Sequence, residues 1–243
     1  MANLQHIGEN RIRKEMKEAA ARRRKSLLVF GLPICLVLSL IHAGIGLLSF
    51  VFLAIAYLQA GAKDSVKAAG VAGEDQTLAV LETLPNDYVL FNQLDLPDNR
   101  SSTGSRELDF VVVGPNGVFV VETKNLRGEL VGAAGDEYWT LHKVGRGGTP
   151  YSKSVRNPVR QVRGQVAVLN KFLQSRNLNP WITGLVCLAA NNDMEGISSP
   201  DVAVVTSEGL CNYLREFKMR KPVGDPSLIV NALNSLREEE IAA

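Results

Sequence analysis

The sequence predicts an α/β protein: a central mixed β-sheet flanked by helices, preceded by an N-terminal transmembrane helical hairpin. Three observations predict it. Residues 26–62 carry no charged side chain. Beyond them the hydrophobic pattern runs helix, several strands, helix, strands, helices, the order of a mixed sheet covered by helices. Two apolar strand-like runs, Glu107–Val113 and Gly117–Lys124, flank a turn, and each carries an acid at its end away from that turn.

The charge-free stretch holds two apolar runs, Leu27–Ile41 and Ile45–Leu58, around His42-Ala43-Gly44. Together they are too long for one span, which needs ~20 residues. A hairpin with its turn near His42–Gly46 fits better, with Pro33 kinking the first helix. His42 then lies at the far interface as a structural residue. Arg22–Lys25 precede the hairpin and Lys63 and Lys67 follow it. Positive charge at both ends places both termini on the cytosolic side of the membrane. A cleavable signal peptide fits poorly, because its apolar core is shorter and a small-residue cleavage site follows it. The organisation is a basic tail at 1–25, the hairpin at 26–62, a linker at 63–69, a core at 70–190, and a C-terminal strand and helices at 191–243.

The chain has 243 residues and a formal net charge of +2. Residues 1–25 hold eight basic and three acidic side chains, the remainder 19 and 22. The basic character belongs to the tail, so nucleic-acid contact by the body needs a local patch. Cys35, Cys187 and Cys211 sit apart in apolar stretches, which argues against disulfides or a zinc site. The scattered His6, His42 and His142 argue against histidine metal ligation, and against a Ser-His or Cys-His pair unless His142 belongs to one.

Residues 70–84 read as a helix, with Val71, Glu74, Leu78 and Leu81 on one stripe. Glu74 thus falls on the apolar face, as a first-turn acid favoured by the helix dipole or as a carboxylate aimed into a site. Asp87–Asp95 reads as a strand and Leu96–Arg106 as a mobile loop. Gly114-Pro115-Asn116-Gly117 supplies a turn between the two strong strands. Leu126–Val131 and Glu137–His142 read as a further pair, and Gly145–Gly148 as a flexible loop. Pro158–Gln174 is a helix with Val162, Val166, Leu169 and Leu173 buried, Pro158 in its first turn and Asn157 as its cap. Ile182–Ala190 and Val202–Thr206 read as strands. A helix capped by Ser207 runs to about Lys218, and a last one opens at Asp225-Pro226 and reaches Glu240.

With Pro115 and Asn116 at the turn, Val113 meets Val118, Val111 meets Val120, Asp109 meets Glu122 and Glu107 meets Lys124, all on one face. Facing carboxylates at the end of apolar strands repel each other and are poorly hydrated. A hard divalent cation bound by both resolves the conflict. Lys124, on the same face, is placed to orient water or offset charge in a phosphoryl transition state. The bland alternative is a solvated hairpin end with Glu107 and Lys124 as a surface salt bridge. Arg156, Arg160 and Arg163 recur at helical spacing, as a phosphate grip or an ordinary solvated face. Tyr138 and Trp139 suit base stacking, although a core tryptophan is the plainer reading.

The chain resembles the NERD (nuclease-related domain) family of the PD-(D/E)xK nuclease-like superfamily. The resemblance spans roughly Ala69–Leu173. It rests on Gly73-Glu74, the run Glu107–Val113, the run Gly117–Lys124 followed by Gly128, Trp139, and Asn157-Pro158 with Gln161. It implies a restriction-endonuclease-like core in which Asp109 and Glu122 bind Mg²⁺ (or Mn²⁺), Lys124 assists phosphodiester hydrolysis, Glu74 supplies the helix carboxylate, and Gln161 sits beside the site. Leu108 stands where the superfamily pattern has a proline, as in the family's own signature. The expected function is a membrane-anchored, Mg²⁺-dependent nuclease acting on DNA. The alternative is a non-catalytic nucleic-acid-binding or membrane scaffold protein that keeps the fold.

Overall fold

The computed structural model describes residues 1–6, 11–60, 65–145, 147–190, 192–219 and 224–242. They form two compact units, one of residues 9–71 and one of residues 1–8 with 72–243.

In the first unit, α1 (Arg11–Ser26) runs through a π-helical turn, Leu27–Gly31, into α2 (Leu32–Ile41). Pro33 lacks an N–H, and its ring crowds the carbonyl four residues back. The wider turn just before it absorbs that conflict, as π-bulges do. His42 breaks the helix with an extended backbone and caps α3 (Ala43–Gln59), its Nδ1 accepting the Gly44 N–H at 3.2 Å. Helices α2 and α3 pack closely where side chains are small. A Cβ on Gly46 would lie 2.5 Å from the Ser39 Cα, and one on Gly31 would lie 2.5 Å from Leu53. Most other apolar side chains of the pair point outward; Leu40 is 88% exposed and Leu58 73%. Among the described residues one helix, Arg11–Ile41, is long and apolar enough to cross a membrane, where the sequence predicts two. The second apolar helix, α3, has 17 residues. The expected linker starts at Lys63 and Asp64, outside the described residues; from Ser65 the chain is already helical, in α4 (Ser65–Leu81).

The second unit is a mixed sheet between helices. Its strands are β1 (Asn3–His6), β2 (Val89–Pro97), β3 (Ser105–Gly114), β4 (Gly117–Lys124), β8 (Ile182–Leu188) and β10 (Ala203–Thr206), in the spatial order β1-β2-β3-β4-β8-β10. β2, β3 and β4 are antiparallel; β1 joins β2, β8 joins β4 and β10 joins β8 in parallel. β1 is unexpected: the start of the supposed basic tail is an edge strand, bonded from the Asn3 N–H to the Tyr88 carbonyl at 2.8 Å. Helices α5 (Pro158–Ser175) and α7 (Pro226–Ala242) cover one face of the sheet, with Val162, Leu169, Ile229 and Leu233 in its core. α4 and α6 (Ser207–Glu216) cover the other, with Leu81 and Leu210. Burying both faces explains the unbroken apolar run Phe110–Val113.

A smaller sheet holds β7 (Pro150–Arg156), β6 (Tyr138–Val144), β5 (Glu129–Ala133) and β9 (Ile197–Ser198), in that order. β7 is not predicted from the sequence, because its exposed Ser, Lys and Tyr side chains lack a buried alternation. Leu96–Arg106 is no slack loop: Asp98 accepts the Arg106 Nε–H at 2.9 Å and the Arg100 N–H at 3.1 Å, closing the turn between β2 and β3. Asn157 caps α5, accepting the Val159 N–H at 2.9 Å, and its amide donates to the carbonyls of Ala133 and Asp136. That one side chain ties the small sheet to the helix. Trp139 is 1% exposed, with its indole N–H on the Ala133 carbonyl at 2.8 Å, so it is a core residue; Tyr138 is half exposed. Thr206 rather than Ser207 caps α6, accepting the Gly209 N–H.

Candidate active site at the β3–β4 fork

The hairpin register is the one the turn dictates: Gly114 pairs with Gly117, Val113 with Val118, Val111 with Val120 and Phe110 with Val121. There the ladder stops. The expected Asp109–Glu122 and Glu107–Lys124 pairs do not form. β3 leaves β4 and follows β2, where Glu107 pairs with Asp95, while the far side of β4 stays on β8 as far as Lys124.

The cause lies in β2. Gln93 has a φ of 52°, a left-handed conformation that costs a non-glycine residue energy. Neither it nor Asp109 joins the β2–β3 register. Side-chain alternation slips by one residue across this point. Phe91 and Val111 lie in the α5-side core, and so do Leu94, Leu96 and Leu108. The twist opens a fork between β3 and β4, and Asp109 fills it. Its Oδ2 accepts the Thr123 N–H at 2.7 Å, replacing the missing ladder bond.

The acids still converge. Glu122 is 1% exposed. Its Oε1 receives the Lys124 ammonium, and its Oε2 accepts the Gln165 amide at 2.7 Å. Gln165 also donates to the Glu107 carbonyl at 3.1 Å, bridging the two sides of the fork. Burial holds the Asp109 carboxyl well above the usual carboxylate range, and the charges of Glu122 and Glu74 push it further up, against the pull of Lys124 and the Thr123 N–H. Burial alone would lower the Lys124 pKa, but Glu122, Asp109 and Glu74 outweigh it, so the ammonium is held above its ordinary pKa.

Glu74 approaches from α4. Gly73 makes that possible: a Cβ there would meet the Asn125 Cβ at 2.5 Å and the Ala189 Cβ at 3.4 Å, so only glycine lets the helix lie this close to the ends of β4 and β8. The Glu74 carboxylate accepts the Gln93 amide at 2.9 Å. No group of three or more His, Cys, Asp or Glu side chains among the described residues is arranged to hold a metal. Of the two neighbouring acids, Glu122 acts on the Asp109 carboxyl more strongly than Glu74 does.

The glutamine on Glu122 is Gln165, one helical turn beyond the expected Gln161. Both lie on one face of α5, and only the tertiary contact separates them. The Glu-x-Lys spacing gives no sign of Gln165; its burial among Val162 and Leu169 on the helical stripe is the signal available in the sequence. Arg163 grips Asp201 through two nitrogens, the shortest contact being 2.6 Å, and donates to the Ala134 carbonyl at 3.1 Å. That anchors it as a structural side chain, whereas Arg156 and Arg160 are exposed. His142 Nδ1 lies 2.8 Å from Ser152 Oγ on an exposed sheet face, away from the fork's acids in sequence and sheet.

The donor set suits a hard cation. It offers two carboxylates, and Mg²⁺ is commonly held by one or two together with water and substrate oxygens. Gln165 Oε1 is buried and has no hydrogen-bond partner among the described residues, an oxygen beside Glu122 that can accept from a bound water.

A mixed α/β sheet carrying an acid on one strand and Glu-x-Lys on the next is consistent with the PD-(D/E)xK nuclease-like superfamily. Residues 69–189 match the family model for the nuclease-related domain, NERD, and this part of the chain belongs to that family. No curated protein and no solved structure matches the chain significantly.

Proposed function

We propose that the NERD unit is a Mg²⁺-dependent phosphodiester hydrolase acting on DNA, held at the inner face of a bacterial membrane by the helical unit. What carries this reading is the meeting of Asp109, Glu122 and Lys124 at the β3–β4 fork. Asp109 and Glu122 would hold Mg²⁺ or Mn²⁺, which when bound polarises a phosphoryl oxygen and acidifies a coordinated water. Lys124 stays protonated under three carboxylates and offers its charge to the oxygens that become negative as the phosphodiester is attacked. Gln165 and the Thr123 N–H orient the two carboxylates, and Gln93 orients Glu74. Arg156 and Arg160 supply exposed cations for the nucleic-acid backbone.

Anchoring draws on the outward apolar side chains of α2 and α3 and on their close packing at Gly31 and Gly46, a pattern that suits helices in lipid. Arg22–Lys25 at the base of the pair favour the cytosolic side. The decisive experiment offers labelled DNAs and RNAs to the full chain in non-ionic detergent with Mg²⁺, Mn²⁺ or EDTA. Metal-dependent cleavage of DNA that Lys124→Ala abolishes is the expected result. Binding without cleavage overturns the catalytic reading in favour of a nucleic-acid-binding module. Reporter fusions at the N-terminus and after Ala62 should both report the cytoplasm.

A further inference from the structure

The body of the chain, residues 26–243, holds 19 basic and 22 acidic side chains, yet they are segregated. Residues 138–192 contain eight bases and no acid. This segment includes the β6–β7 hairpin, whose far end, with the start of β5, walls a cleft of about 750 Å³. Arg127, Lys143, His142 and Tyr151 line it, with Glu129 its one carboxylate. Lys143 and Tyr151 are cross-strand partners and so lie side by side on one face of the hairpin. Tyr151 is 51% exposed. Arg106 and Arg163 are committed to Asp98 and Asp201, but neither Arg127 nor Lys143 is ion-paired among the described residues.

The cleft adjoins the proposed catalytic strand. Arg127 follows Lys124 by three residues, so their Cα atoms lie within about 11 Å of each other. Gly128 sets the wall: its φ is 134°, and a Cβ there would stand 2.2 Å from the His142 carbonyl oxygen. Only glycine allows β5 to start this close to β6, which brings Arg127 and Lys143 into one cleft.

From this arrangement we infer that the cleft is a subsite for a single-stranded stretch of nucleic acid contiguous with the strand at the β3–β4 fork. Arg127 and Lys143 contact phosphates, and Tyr151 stacks on a base. Stacking on Tyr151 requires a base with a free face, which a duplex does not offer. The inference rests on the nuclease reading for the identity of the ligand, but its test needs no catalysis.

The test is binding of the full chain in non-ionic detergent to fluorescein-labelled oligothymidylate and to a duplex of equal length, by anisotropy in EDTA. Wild type should bind the single strand more tightly than the duplex. Losing two phosphate contacts in Arg127→Ala/Lys143→Ala should weaken it about 25-fold near about 0.1 M salt, and flatten the slope of log K against log salt by about 1.4. Tyr151→Ala should weaken it about tenfold while Tyr151→Phe stays near wild type. Unchanged affinity and slope in the double variant, a preference for duplex, or no binding by wild type overturns the inference. Single-strand binding that follows these variants in a protein that never cleaves leaves the cleft standing and removes only the catalytic reading.

Discussion

Asp109→Asn should make the metal-free nuclease-related unit more stable than wild type, by an amount that grows with pH. The amide keeps an oxygen for the Thr123 N–H, which lies 2.7 Å from Oδ2, and removes the charge that burial, Glu122 and Glu74 all oppose. The sign follows from proton linkage. The folded-state pKa of Asp109 is raised, so between the ordinary carboxylate range near 3.8 and that raised value the folded state holds a proton that the unfolded chain has lost. Wild-type stability therefore falls as pH rises through this window, by up to about 1.4 kcal/mol per pH unit, and then levels off. The variant lacks this slope. Below pH ~4 both states of wild type are protonated, and the two proteins should differ little. In a unit of this size 1 kcal/mol moves Tm by about 2–4 °C, so the gap should widen by roughly 3–5 °C per pH unit. Both tryptophans of the chain, Trp139 and Trp181, lie in this unit, so intrinsic fluorescence of the full chain in detergent follows its unfolding separately from the helical unit. A difference that stays constant from pH 4 to 7, or a variant that loses stability relative to wild type as pH rises, refutes the electrostatic account of the fork.

Lys124→Ala should lower the cleavage rate by about 10²–10³-fold. It should also cost up to about 3 kcal/mol of stability, because the buried Glu122 carboxylate loses its cation; Mg²⁺ should restore part of that stability, and an unchanged rate in an active preparation removes Lys124 from the mechanism. Gln165→Leu strips a donor from Glu122 Oε2 and from the Glu107 carbonyl, and should cost about 1–3 kcal/mol in urea unfolding; Gln161→Leu, one turn earlier, should cost far less. Gly73→Ala places a methyl group against Asn125 and Ala189 and should cost about 1–3 kcal/mol by overpacking; an unchanged Tm would mean α4 does not lie against the ends of β4 and β8 as described. Mg²⁺ should raise the Tm of wild type, and less so that of Asp109→Asn, because the ion binds the folded pair and not the unfolded chain.

Local chemistry makes much of this molecule legible in its amino-acid sequence. Asn157-Pro158 announces the start of α5 because a side-chain acceptor and a residue without an N–H suit the first turn. Gly114–Gly117 sets a register that holds for five pairs, since the turn and the two-residue period leave one choice. The charge-free stretch and its break at His42 are likewise written in the chain. Each of these rests on neighbours a few residues apart.

What only the tertiary structure decided involves partners distant in sequence. The left-handed Gln93 in β2 ends the β3–β4 ladder at Phe110 and Val121, so Asp109 reaches Glu122 across a fork and not across a ladder. The choice of Gln165 over Gln161 depends on where α5 crosses the sheet, because both residues occupy one helical face. Glu74 is held by the side chain of Gln93, a β2 residue far along the chain from α4. β1 escapes sequence patterning because a four-residue edge strand carries too little periodicity, and it exists only because β2 presents an open edge. Local propensity determines which segments become helix or strand; the site depends on how a strained residue in one strand redirects its neighbour, a long-range effect that no short window of sequence contains.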